Sequence, residues 1–215
     1  MSATDYTALI ARIRVEANDT ATSNPKMGDT PVGLRDGSNA VFRLAYGNPV
    51  ADSLKLTYGA TSRSSSGFTL LDSASGYIQM TAAPDSGATQ PFFFDYFFQW
   101  FTDADYQQMI DGATEDIGGV AGTAADAGLN SALVQFALAR FWKRRASNYA
   151  HLYATAGGNA NANPESVTAQ FLSLAKAATS EGIRLMNAFY TRHGKRQAPA
   201  SGTITHKISP YTPRR

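Results

Sequence analysis

Phe92-Phe93-Phe94-Asp95-Tyr96-Phe97-Phe98-Gln99-Trp100-Phe101 places eight aromatic residues in ten positions, and Thr102-Asp103-Ala104-Asp105 follows directly. Taken two at a time, Phe92, Phe94, Tyr96, Phe98 and Trp100 make one fully aromatic row. The other row, Phe93, Asp95, Phe97, Gln99 and Phe101, mixes apolar with polar. Side chains of a strand alternate between its faces, so this stretch is predicted as a strand with one face buried and the other partly covered. Thr102 is a good helix N-cap, and Asp103 and Asp105 suit the positive end of a helix dipole. The chain thus passes here from a strand-rich block to a helical one.

Upstream, residues 32–101 are punctuated by turns. Asp36-Gly37-Ser38-Asn39 precedes a short strand with Val41, Phe42 and Leu44, and Asn48-Pro49 turns the chain. Leu54-Lys55-Leu56-Thr57-Tyr58 alternates, residues 62–67 read as a flexible tip, and Phe68-Thr69-Leu70-Leu71 resumes. After a turn at residues 72–76 comes Tyr77-Ile78-Gln79-Met80. With the aromatic strand this makes five short strands about ten residues apart, the grammar of an antiparallel sandwich or small barrel. Before it, Tyr6, Leu9, Ile10, Ile13 and Ala17 recur at helical spacing, predicting a helix over 4–18 with Thr4 as its cap, then a polar loop over 18–31.

Downstream, Tyr106, Met109, Ile110 and Ala113 mark the inner face of a short acidic helix over 102–116, ended by Gly118-Gly119. A long helix is predicted from Leu129 to about Ala156. A final one opens at Pro164-Glu165, with Val167, Phe171, Leu174, Ala178, Leu185 and Phe189 as its stripe and Leu172, Ile183, Met186 and Tyr190 widening it. Gly194 fits the position after its end. The two long helices, joined by the low-complexity loop at 157–163, should form an antiparallel hairpin. The expected fold is α+β: a helical core (1–31 and 102–196) with an inserted antiparallel β-sandwich or small barrel (32–101) and an extended basic arm (197–215). Pro199, Gly202, Pro210 and Pro213 forbid a helix in the arm, whereas Thr203-Ile204-Thr205-His206-Lys207-Ile208 alternates and suits addition to another sheet.

The 215 residues are 43% hydrophobic, enough for a sizeable core. No run approaches the roughly 20 apolar residues of a membrane span, and Met1-Ser2-Ala3-Thr4-Asp5-Tyr6 does not read as a secretory signal. Cysteine is absent, which excludes disulfides, thiolate metal sites and cysteine nucleophiles. The net charge of +2 hides an asymmetry: residues 1–139 carry seven Lys and Arg against fifteen Asp and Glu, a net −8, whereas residues 140–215 carry twelve against two, a net +10. Opposite blocks can neutralise each other within a chain, meet between neighbouring copies, or leave an acidic body with a basic contact for another partner.

Chemistry-bearing patterns are scarce. His151, His193 and His206 lie on separate elements, no serine sits in a nucleophile elbow, and no phosphate loop or dinucleotide fingerprint occurs. The reading is that of a protein that is not an enzyme and uses no metal or cofactor. The acidic group Asp103, Asp105, Asp111, Glu115 and Asp116 reads as helix-start charge and a solvated face. The strongest polar feature is Arg140-Phe141-Trp142-Lys143-Arg144-Arg145. On a helix Phe141, Arg144 and Arg145 would share one side, with Trp142 and Lys143 turned away. Three readings stand: core aromatics with solvated cations, a subunit interface carried by Arg140, Trp142, Lys143, Arg144 and Arg145, or phosphate contacts to nucleic acid. The aromatic strand could likewise serve a carbohydrate-binding sandwich, if its rings were exposed.

Helix, inserted sheet, acidic helix, long hairpin and basic arm, in that order, resemble the head-to-tail connector, or adaptor, proteins of tailed bacteriophages. Residues 36–44 are similar to that family's DG-x-x-x-x-F-x-L strand opening. Gly76-Tyr77-Ile78-Gln79-Met80 with Ala83-Pro84 resembles its G-x-I-x-F…AP segment, and the passage through Phe101-Thr102-Asp103 resembles its strand-to-helix junction. The likeness covers residues 1–196 as a loose pattern, and related sandwiches occur in other phage tail and neck completion proteins. It implies a structural virion protein of the neck, made in the host cytoplasm. Copies, usually twelve, would form a ring beneath the portal that continues the DNA channel, without sequence-specific DNA binding, and offers the tail its attachment surface. It also implies a portal-binding arm with Ile204, His206, Lys207, Ile208, Arg214 and Arg215, and a lumen faced by Asp103, Asp105, Asp111, Glu115 and Asp116.

Overall fold

A computed structural model describes residues 3–86, 90–119, 127–155 and 164–193. The described residues up to Met109 form one compact unit and those from Ile110 onward form another, the division falling inside a helix.

The first unit opens with α1 (Ala3–Glu16) and continues through seven strands: β1 (Pro25–Asp29), β2 (Val41–Arg43), β3 (Lys55–Tyr58), β4 (Thr61–Ser64), β5 (Phe68–Asp72), β6 (Tyr77–Met80) and β7 (Phe92–Phe97). They make two antiparallel sheets, ordered β1-β7-β3-β4 and β2-β6-β5. The alternation read in the aromatic stretch is realised as far as Gln99: Phe92, Phe94, Tyr96 and Phe98 are buried and Phe93, Asp95, Phe97 and Gln99 half-covered. Beyond it Trp100 is half-buried and Phe101 buried. Leu56 pairs with Phe94 across β3 and β7, and Phe42 with Ile78 across β2 and β6, all four side chains buried. These inward residues of both sheets join Leu44, Leu54, Met80 and the aromatic row in one core, as in a β-sandwich. Aromatic packing is close: Tyr46 stacks on Phe98 with centroids 4.1 Å apart, and Phe68 meets Phe94 edge-on at 5.1 Å.

Two strands lie where loops were expected. Residues 25–29 belong to β1, an edge strand paired with β7 through Pro25↔Phe97 and Asp29↔Phe94 with a bulge between. Polar side chains hold it there. The Gly28 N–H donates to Asp95 Oδ1 at 2.8 Å, and Tyr96 OH donates to the buried Asp29 Oδ2 at 2.7 Å. The first half of the expected flexible tip belongs to β4, turned back on β3 with a second bulge and with Arg63 at φ 54°. The first helix starts at Ala3, so Thr4 lies within its first turn rather than at the cap. It buries Leu9, Ile10, Ile13 and Ala17 as its spacing predicts. Asn18 ends it in the left-handed region at φ 53°, with the Asp19 N–H reaching Arg14 O at 2.8 Å.

α2 (Asp103–Asp116) begins as expected. Thr102 Oγ1 accepts the Asp105 N–H, and the Asp105 carboxylate accepts the Thr102 N–H at 2.9 Å, a reciprocal capping box. Gly118, at φ 79°, closes the helix with the Gly119 N–H on Thr114 O at 2.9 Å. The second unit continues with α3 (Asn130–Thr155) and α4 (Pro164–Arg192), which pack as the expected hairpin. The contact line on α4 keeps Ala178 and Phe189 of the expected stripe, with Met186 beside them, and adds Ala175 and Gly182. Ala175, Ala178, Gly182, Met186 and Phe189 are buried, whereas Leu172 and Leu174 remain 43% and 40% exposed. Small residues let the helix backbones approach closely: a Cβ at Gly182 would sit 3.1 Å from the Phe136 ring. α3 is buried nearly all round from Ala132 to Ala139, and beyond Phe141 it presents half-covered aromatics and cations. No helix among the described residues is long and apolar enough to cross a membrane.

Candidate functional site

The basic run lies at the middle of α3, where burial gives way to exposure. Phe141 is fully buried. Trp142 lies nearly parallel to Phe171 of α4, with centroids 5.8 Å apart and planes 16° off, and it meets Phe141 edge-on at 4.8 Å. The Arg145 guanidinium covers the Phe171 ring at 5.0 Å, close enough for a cation–π attraction. Tyr149 adds a third ring, 6.2 Å from Phe171 and edge-on. Trp142 therefore does not turn away from Arg145, contrary to the expectation. Positions 142, 145 and 149 are three and four apart, and such neighbours stack along one helical face. Phe171 is the residue that sequence reading missed as their organiser. The spacing of its three partners was visible, but the register between two helices was not.

The other members of the run separate. Arg140 grips the end of α2: its Nε donates to Asp116 Oδ2 at 3.1 Å, and its Nη2 to Asp116 Oδ1 at 3.2 Å and to Gly112 O at 3.0 Å. That two-point pair orients Arg140 towards its own chain. Lys143 and Arg144 are exposed. Beside them, Asp116, Arg140, Lys143 and Thr179 rim a cleft of about 290 Å³ whose floor is Phe136, Ala139 and Ile183.

The five acidic candidates do different work. Asp103 Oδ1 accepts from Arg14 Nη2 at 2.8 Å, Asp105 completes the cap of α2, and Asp116 holds Arg140. Asp111 is half-buried and Glu115 exposed. Among the described residues, no three His, Asp or Glu side chains gather as a metal site would require.

A second polar centre, unforeseen in the sequence, lies where β7 passes into α2. Asp19 is fully buried. Its Oδ1 accepts the Trp100 N–H at 2.8 Å and Asn24 Nδ2 at 3.1 Å. Its Oδ2 accepts Tyr106 OH at 2.8 Å and lies 3.4 Å from Arg14 Nη1. Arg14 also covers the Tyr106 ring at 4.5 Å and donates to Phe101 O at 3.1 Å. Burial raises the carboxyl pKa of Asp19, while the Trp100 N–H, Tyr106 OH and Arg14 pull it down. Every group here has a partner, and the centre fixes the strand-to-helix passage.

The aromatic row is core, so it offers no exposed ring platform for a sugar; Trp100, half-buried, spends its Nε1–H on Asn24 Oδ1 at 3.2 Å. The arm candidates Ile204, His206, Lys207, Ile208, Arg214 and Arg215, together with Gly194 and the loop at 157–163, lie outside the described residues. Comparison with protein-family models, with curated proteins and with solved structures finds no match to this chain.

Proposed function

We propose that the chain is a head-to-tail connector of a tailed-bacteriophage neck, a structural ring subunit that sits beneath the portal, continues the DNA channel and receives the tail. One observation carries this reading. The helical hairpin holds a stack of Trp142, Phe171, Arg145 and Tyr149, flanked by Leu172 and Leu174, that a lone chain leaves partly in water. Trp, Tyr and Arg dominate the centres of protein interfaces, and bulky apolar side chains grouped at a surface mark contact sites. The order of elements, which resembles that of connector proteins, supports the same reading.

In this reading neighbouring copies, twelve in the ring, cover the stack through head-to-tail contacts that close on themselves. Asp111 and Glu115 face the lumen, where carboxylates keep DNA phosphates from adhering. The arm, with Ile204, His206 and Ile208 on one face of an added strand and Lys207, Arg214 and Arg215 beside it, docks on the portal. The protein acts without catalysis or cofactor.

Electron microscopy of the full chain mixed with its portal ring tests this: twelvefold added density is expected, and portal rings without it would overturn the proposal. A chain truncated after Gln197 should lose portal binding; undiminished binding would remove the docking role of the arm.

A further inference from the structure

Of the cations in the basic run, Lys143 stands apart. Arg140 is held by Asp116 and Gly112 O, and Arg145 covers Phe171. Lys143 is exposed and makes no ion pair with any described residue. It stands at the mouth of the cleft of about 290 Å³ floored by Phe136, Ala139 and Ile183. The rest of the rim is already satisfied. Asp116 is neutralised by Arg140, and the Thr179 hydroxyl donates to Ala175 O at 2.9 Å. One positive charge is therefore left over above an apolar floor. That combination fits a short acidic side chain, whose methylenes would lie on the floor and whose carboxylate would meet the ammonium.

The charge distribution identifies where such a side chain comes from. Residues 127–193 carry seven Lys and Arg against two Asp and Glu, whereas residues 3–119 carry seven against fourteen. Among the latter, Asp52 and Asp85 are exposed and form no ion pair with a described residue. In a ring with one repeated contact, every copy offers both the cleft and the surplus carboxylates. We propose that the cleft beside Lys143 is the receptor for an Asp or Glu side chain of the neighbouring copy, with Lys143 as its counter-ion. This rests on the ring reading above and names the polar contact that sets the order of the copies, since charge complementarity fixes register and rejects wrong partners.

The test uses full-length chain, half of it labelled with heavy nitrogen, assembled alone and on the portal ring and treated with a carbodiimide that joins amines directly to carboxylates. Peptides joining Lys143 of a light chain to an Asp or Glu of a heavy one are expected. Coupling of Lys143 only within a chain, or not at all, overturns the proposal. Lys143→Glu should raise the concentration for half-assembly at least ~10-fold, while Lys143→Arg keeps it near wild type. Because Lys143 is exposed, both variants should melt with the wild-type chain, which separates assembly from folding. A K143E chain that assembles normally overturns the cleft contact, even if it has lost portal binding, and leaves the ring standing. A wild-type chain that stays monomeric both alone and on the portal overturns ring and cleft together.

Discussion

Asp19 shows how a single buried carboxylate joins three segments. It holds the backbone N–H of Trp100, the hydroxyl of Tyr106 and the guanidinium of Arg14, so the end of α1, the exit of β7 and the start of α2 meet at its two oxygens. A buried charge is tolerated only when its hydrogen bonds are made. Replacing Asp19 by Asn puts N–H bonds against donors and leaves Arg14 with the exposed Asp103 as its remaining counter-charge. Asp19→Asn should therefore cost about 3 kcal/mol in urea unfolding. The pH dependence has a defined sign. Burial raises the folded pKa above the unfolded 3.8, so the native state holds the proton more tightly than the unfolded chain. What Asp19 contributes is then full below the unfolded value and declines as pH rises through the folded one. The stability advantage of wild type over D19N should thus shrink between acid and neutral pH; an advantage that grows with pH would contradict it. Phe94 poses the simpler case. It is fully buried between the sheets, and Phe94→Ala should cost about 3–5 kcal/mol through lost burial and the cavity left behind.

Among the elements, α2 and α4 show what a one-dimensional pattern contains. The start of α2 was legible because a cap is local: Thr102 and Asp105 satisfy each other within one turn. Thr102→Ala should destabilise the chain by ~1 kcal/mol in denaturant titration. The aromatic strand was legible for a related reason, since a buried face imposes period two on the sequence. β1 was not. Pro25, Lys26 and Gly28 carry no apolar period, and the strand forms because Asp95 and Tyr96 of β7 bind its backbone and its Asp29 carboxylate. The inner line of α4 was legible in part: Ala178, Met186 and Phe189 lie on it as expected. Large apolar residues were favoured as core, whereas close packing also selected Ala175 and Gly182 and left Leu172 and Leu174 outward. The pairing of Trp142 with Phe171 required the register of two helices, which no spacing within either one encodes. Gly182 provides the test of that register. A side chain there would run into Phe136, so Gly182→Leu should cost roughly 1–3 kcal/mol by overpacking. Stability equal to wild type would mean that the helices can slide apart at this crossing.

At the scale of the whole molecule, the proposed assembly divides into an apolar part and a charged part, and these respond to different perturbations. Leu172 and Leu174 are 43% and 40% exposed. Replacing both by Ser should change monomer unfolding by no more than ~0.5 kcal/mol each, as is usual for surface positions. Their removal should nonetheless weaken self-association at every ionic strength, because buried apolar area is insensitive to moderate salt. The charged part arises from the opposition between an acidic block of −8 and a basic block of +10. Exposed charges are screened beyond ~10 Å at 0.1 M salt and beyond ~3 Å at 1 M. Raising salt across that range should therefore weaken self-association of wild type, and the Leu172→Ser, Leu174→Ser chain should show the same slope from a weaker starting point. Sedimentation velocity across a salt series reads both quantities at once. Parallel lines place the leucines in the interface, independent of the charges. If the serine variant coincided with wild type at all salts, the outward face of α4 would not be part of the contact between copies, and the covering surface would have to be sought around Trp142 alone.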